Sequence, residues 1–125
     1  MRSRALCILL LWTATALLGA KPFAPACGNP GAKPCPLQAF MRDELARPYA
    51  ERHLDELGAN LNQLAAFNPD PAGWRDWAQL AADAARAARA HGDAETLKAC
   101  SRCHRRYRAE YLQRFRARAL PGAHD

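Results

Sequence analysis

The 125-residue sequence predicts an all-α chain folded as an antiparallel four-helix bundle. Two observations carry this. Beyond Cys35 there is one Thr, no Val and no Ile, and no alternation of apolar and polar residues, so a sheet has nothing to build on. In the same region apolar residues recur at steps of three and four, the spacing that puts them on one face of a helix.

The order of elements begins before the bundle. Met1-Arg2-Ser3-Arg4 is a short basic start, and the apolar run ending at Ala20 is too short to span a bilayer. Residues 1–20 read as a secretory signal peptide, cleaved after Ala20 or as late as Ala26 in Ala24-Pro25-Ala26; an uncleaved N-terminal anchor is the alternative. Residues 21–35 form a Pro-rich linker or loop. Cys7 would leave with the signal, and an oxidising compartment favours pairing of Cys27 with Cys35 over two free thiols. Lipid attachment at Cys27 is a third use of that sulfur, and with a retained signal it is the only route to a membrane.

The folded domain is expected over residues 36–118. The first helix starts at Pro36 or Leu37, with Leu37, Phe40, Met41 and Leu45 on its apolar face and Pro48 ending or kinking it. The second runs from about Pro48 to Phe67 on Leu54, Leu57, Leu61 and Leu64, until Asn68-Pro69-Asp70-Pro71 breaks it. Asp70 is placed to cap the third, whose face is Trp74, Trp77, Leu80, Ala81, Ala84 and Ala88, with Gly92 as its stop. Asp93 is placed to cap the fourth, from Ala94 to about Arg118, with an inward stripe of Leu97, Cys100, His104, Tyr107, Tyr111 and Phe115. Residues 119–125 are a tail.

The stripe of the fourth helix contains Cys100-Ser-Arg-Cys103-His104. Two thiols one helical turn apart, with an imidazole one turn on from the first, can bind two vinyl groups of a porphyrin and its iron from one side; Cys-x-x-Cys-His is the c-type haem attachment pattern. With five Cys and four His in 125 positions, chance supplies the pattern only about 0.006 times per chain. A zinc site would need a further ligand such as His91 or His53, a thioredoxin-like pair would need a βαβ setting, and a disulfide within one helical turn is strained. The expectation is therefore one covalent haem c on Cys100 and Cys103, with His104 as the proximal iron ligand.

Trp74, Trp77 and Cys100-Ser-Arg-Cys103-His104-Arg-Arg-Tyr107-Arg108 together resemble the cytochrome c-prime superfamily, and Cys35-Pro-Leu-Gln-Ala-Phe-Met41 is similar to small exported monohaem proteins of that type. The match covers roughly residues 35 to 118. The resemblance implies a bundle whose first helix faces the distal side of the haem. Met41, the one methionine left after signal removal, is then a candidate sixth ligand; the alternative is a filler beside a distal pocket lined by Phe40 and Leu37. Tyr107 is placed to pack on the proximal histidine or haem face, and Arg108 to pair with a haem propionate. His53 is a weaker second candidate ligand, His91 a helix-end residue, and His124 part of the tail.

The function this points to is one-electron transfer by an exported, periplasmic cytochrome. The alternative is a five-coordinate haem module binding nitric oxide or carbon monoxide; a third reading is an exported helical protein without haem. No acid–base or nucleophile constellation suggests an enzyme. The net charge is +6, and from residue 102 onward seven arginines face the single Glu110, which suits either a solvated face or docking of an acidic redox partner. Export argues against nucleic acid, and a second copy of the chain is a further candidate partner.

Overall fold

The computed structural model describes residues 27–122; the expected signal peptide, Cys7 and His124 lie outside them. Those residues are all-α, with four helical rods and no strand among them. The first rod is α1 (Pro36–Phe40), a π-helical segment (Met41–Ala46) and α2 (Arg47–Ala50), joined without a break in helical backbone. The others are α3 (Leu54–Leu64), followed by a 3-10 turn (Ala65–Phe67), α4 (Trp77–Arg89) and α5 (Asp93–Arg114). No helix among the described residues is long and apolar enough to cross a membrane.

The chain passes through Pro48 in helical form, contrary to the break expected there. Proline has no N–H for the carbonyl four residues back. Here that carbonyl, of Glu44, accepts from Asn60 Nδ2 at 2.7 Å instead. The break comes later, at Arg52, whose φ of 66° is left-handed, so α3 begins at Leu54 rather than near Pro48.

The third helix also starts late. Asp70 caps a turn, not a helix: its Oδ1 accepts from the Gly73 N–H at 3.0 Å and its carbonyl from the Trp74 N–H at 2.7 Å. Asp76 holds the N-cap position of α4, and Trp74 sits in the preceding turn. At the far end His91, with φ 55°, takes the left-handed position expected of Gly92, which instead becomes the N-cap of α5. α5 stops at Arg114, with Phe115 as its C-cap, short of Arg118.

Leu57, Leu61 and Leu64 of α3 pack on Ala81, Ala84, Ala85 and Ala88 of α4 in one core. The approach is close because Gly58 has no side chain: a Cβ there would lie 2.7 Å from Arg89 Cγ and 3.2 Å from the Ala85 carbonyl oxygen. α4 packs in turn on α5, around Trp74, Trp77, Tyr107 and Tyr111. Trp74 stacks on Tyr107 at 4.5 Å between centroids, and Trp77 Nε1 donates to the Leu64 carbonyl at 2.7 Å, satisfying a helix-end acceptor.

The first rod is different. Its π segment and α2 approach α3, but among the described residues none of its Cα atoms comes within 8 Å of α4 or α5. Between it and α5 lies a space lined by side chains of both and, at one side, by Leu57, Leu61, Ala81 and Ala84 of α3 and α4.

Candidate functional site: a cleft between the first rod and the last helix

That space is a cleft in two compartments, of about 560 Å³ and about 480 Å³. Gln38, Met41, Cys103 and His104 line both, so they stand where the compartments meet. The smaller compartment is almost wholly apolar and includes Leu45, Tyr49, Leu97 and Cys100. The larger one carries the polar groups, Tyr111, Arg108 and Arg116.

The first-rod wall has a simple sequence basis. Leu37, Met41, Leu45 and Tyr49 recur at even steps of four and all line the cleft. On a regular α-helix each such step would rotate the row by about 40°. A π segment has wider turns and absorbs the excess, which keeps the row facing one way. Phe40 leaves this wall; its ring packs edge-on against Phe67 at 4.9 Å, so the pocket lining expected of it falls to Leu37 and Met41.

On α5 the buried stripe is Thr96, Ala99, Cys103, Tyr107 and Tyr111: Tyr107 and Tyr111 are buried as expected, while Thr96, Ala99 and Cys103 take the places expected of Leu97, Cys100 and His104. Leu97 and His104 are exposed and Cys100 is half-buried against the core, and all three line the cleft. Two large apolar side chains are exposed among the described residues, Leu97 at 51 % and Leu112 at 50 %, and both stand on the cleft walls. Exposed apolar surface gathered in one concavity marks a place for an apolar ligand.

The electrostatics of the motif distinguish among its possible uses. Cys100 and Cys103 are both free thiols. Burial pushes the Cys100 thiol up; burial, then Cys100 and Asp76, push Cys103 to about 11. Neither is the low-pKa thiolate that a dithiol redox centre uses. Burial, then Arg108, lowers the pKa of His104 and favours the neutral ring that ligates metals. Among the described residues no three His, Cys, Asp or Glu side chains cluster at metal-binding spacing. Haem brings four nitrogens of its own and asks the protein for axial ligands, two thiols and an apolar slot. The cleft contains each of these, and the residues fit the group.

The other singled-out residues divide. Tyr107 is buried in the aromatic cluster and its Oη hydrogen-bonds the Asp76 carboxylate, so its main role is packing, with one side on the cleft. Arg108 lines the larger compartment, is exposed, and makes no hydrogen bond or ion pair among the described residues. His53 lies at the chain break, its Nδ1 3.5 Å from Glu51 and 3.6 Å from Glu56, and lines neither compartment. His91 faces Asp55 at 3.9 Å.

The basic run is largely tied down. Arg102 pairs with Asp83, Arg106 with Asp76 and Arg114 with Glu110, while Arg118 donates to the Phe67 carbonyl. Arg116 donates to the Cys27 carbonyl at 2.9 Å and Asn29 Oδ1 at 3.1 Å. A disulfide joins Cys27 to Cys35, and Cys35 caps α1, with its N–H donating to Gln38 Oε1 at 3.2 Å. This loop therefore ties the start of the first rod to the end of α5, and Gly28 and Cys35 close that end of the cleft.

Sequence reasoning missed four contributors: Gln38 between the compartments, Tyr49 and Leu112 on the walls, and Tyr111 as a cleft residue whose buried Oη has no hydrogen-bond partner among the described residues. The spacing of Tyr111 and Leu112 from His104, seven and eight residues, is the signal that places both on its side of the helix. No protein-family model, curated protein or solved structure matches the chain.

Proposed function

We propose that this chain is an exported monohaem c-type cytochrome that transfers single electrons, built as an antiparallel four-helix bundle of the cytochrome c-prime type. One observation carries the reading. Cys100, Cys103, His104 and Met41 all wall one cleft, and the exposed leucines 97 and 112 stand on that same cleft. The short α4–α5 turn and the packing of α3 on α4 and of α4 on α5 support the bundle.

When bound, haem supplies reversible one-electron chemistry at its iron. The work of the chain is to hold and shield it. Cys100 and Cys103 would hold it through thioethers, and His104, whose neutral ring burial favours, would supply a nitrogen to the iron. Met41, on the first rod, is the candidate for a further iron ligand, and its soft thioether would raise the potential. Leu97, Leu112 and the apolar compartment exclude water. Arg108 offers an unpaired guanidinium to a carboxylate of the ligand. The disulfide takes up the Cys27 sulfur that lipid attachment would need, which favours a periplasmic protein free of a lipid anchor. Arg105, exposed and without a partner among the described residues, is the cation of the run left for an acidic redox partner.

The test is the visible spectrum of both oxidation states of protein matured with c-haem attachment machinery. The reading expects reversible one-electron reduction, low-spin iron in both states, and slow carbon monoxide binding. High-spin iron with prompt carbon monoxide binding would point to the gas-binding alternative.

A further inference from the structure

Asn60 is a polar residue of α3 that is 8 % exposed. Its Nδ2 donates to the Glu44 carbonyl at 2.7 Å and lies 3.4 Å from Glu44 Oε2. That acceptor belongs to the π segment, three residues after Met41. It is the carbonyl an α-helix would pair with the N–H of residue 48, and Pro48, fully buried, has none. Asn60 thus replaces a missing main-chain bond with a bond to another helix.

Its placement matters because the first rod is held to the rest of the chain mainly by side chains, with Leu37 and Leu45 in the core and Phe40 against Phe67, while its backbone approaches α3 alone. None of its Cα atoms comes within 8 Å of α4 or α5. At one end the Cys27–Cys35 loop ties it to Arg116; beside the middle of the cleft, Asn60 is the side chain that hydrogen-bonds its backbone to a neighbouring helix. The π register between these ties keeps Leu37, Met41, Leu45 and Tyr49 in one row on the cleft.

We infer that Asn60 is a positioning residue for the distal wall: by anchoring the Glu44 carbonyl to α3, it sets where Met41 stands relative to His104. This rests on the haem reading. It goes beyond that reading by assigning control of the distal side to a residue that lines neither compartment.

The test uses the haem-loaded protein and four variants: Asn60→Leu, Asn60→Asp (the same shape without the donor), Pro48→Ala, and Asn60→Leu with Pro48→Ala. In the α-helical register that begins at Arg47, alanine at 48 offers the Glu44 carbonyl an N–H and removes the need for Asn60. Carbon monoxide association with the ferrous protein is the readout. The expected result is a rise of at least tenfold in Asn60→Leu, a rise in the same direction in Asn60→Asp, and return to within twofold of the original rate when Pro48→Ala is added. In a Met41→Ala background Asn60→Leu adds less than twofold. A merely structural Asn60 would lower the unfolding temperature and leave the carbon monoxide rate and ferric spectrum unmoved. That result, in a haem-loaded chain, overturns this inference alone. A chain that carries no covalent haem overturns the haem reading and this inference with it.

Discussion

Truncating Leu97 separates a cleft filled by haem from one that water occupies. Leu97→Ala removes three carbons, worth about 2.4 kcal/mol at roughly 0.8 kcal/mol per fully buried methylene. Leu97 is 51 % exposed in the chain itself, so without a ligand the loss is about half, ~1.2 kcal/mol. Haem in the smaller compartment would cover the exposed half and restore the full loss. The substitution should thus cost the haem-loaded protein about 1.2 kcal/mol more than the haem-free one. For a domain of this size that is a further fall in Tm of roughly 5–9 °C. Any gain in helix propensity is common to both forms and cancels in the difference. The assay is thermal unfolding, followed by far-ultraviolet circular dichroism, of four proteins: the original chain and its Cys100→Ser/Cys103→Ser form, each with and without Leu97→Ala. Equal losses in both forms would refute the placement of haem against this wall.

Other outcomes follow from the same geometry. Met41→Ala should convert the iron from low to high spin and speed carbon monoxide binding; an unchanged spectrum would remove Met41 from the iron. Cys27→Ser with Cys35→Ser should cost about 2.5 kcal/mol in unfolding titrations, from the chain entropy of the eight-residue separation the disulfide closes. Gly58→Ala should cost about 1–3 kcal/mol, since the new Cβ meets Arg89 Cγ at 2.7 Å and the Ala85 carbonyl at 3.2 Å, and no cost would mean α3 and α4 sit further apart. Tyr111→Phe deletes a buried hydroxyl with no partner and should leave the haem-free chain as stable or up to about 1 kcal/mol more stable at neutral pH. Burial raises the Tyr111 pKa, so the folded chain keeps that proton as the unfolded chain loses it, and stability falls as pH rises above the ordinary tyrosine value of 10.0. Tyr111→Phe should remove that part of the alkaline loss, read by unfolding at stepped pH.

Much of this fold was legible because its signals are local. The near-absence of β-branched residues after Cys35, where Thr96 is the only one, excluded a sheet, and the leucine steps on α3 marked its inward face. The boundaries were lost where a distant residue changes the meaning of a local signal. Pro48 reads as a break until Asn60, twelve residues on, takes the orphaned carbonyl. Arg52 and His91 carry left-handed backbone without being glycine, so neither turn announces itself. Asp70 and Asp76 compete for one helix start, and Asp70 is occupied by its own turn.

The buried stripe of α5 was legible in its second half, at Tyr107 and Tyr111, and misplaced by one residue in its first half. Steps of three and four fit either of two adjacent stripes on α5. The choice depends on what α4 presents, and Trp74 and Trp77 draw in Tyr107 and Tyr111 together with Cys103. Leu97, Cys100 and His104 are thereby left facing the first rod. The π segment that aligns Met41 with them has no signal beyond the even spacing of Leu37, Met41, Leu45 and Tyr49.

The central claim is covalent haem on Cys100 and Cys103, and a denaturing gel stained for haem tests it most directly. Full-length protein, matured with c-haem attachment machinery, is run beside its Cys100→Ser/Cys103→Ser form. The account predicts a haem-positive band at the mature chain's position that is absent from the double variant. Folded protein present in both lanes with haem in neither would contradict it.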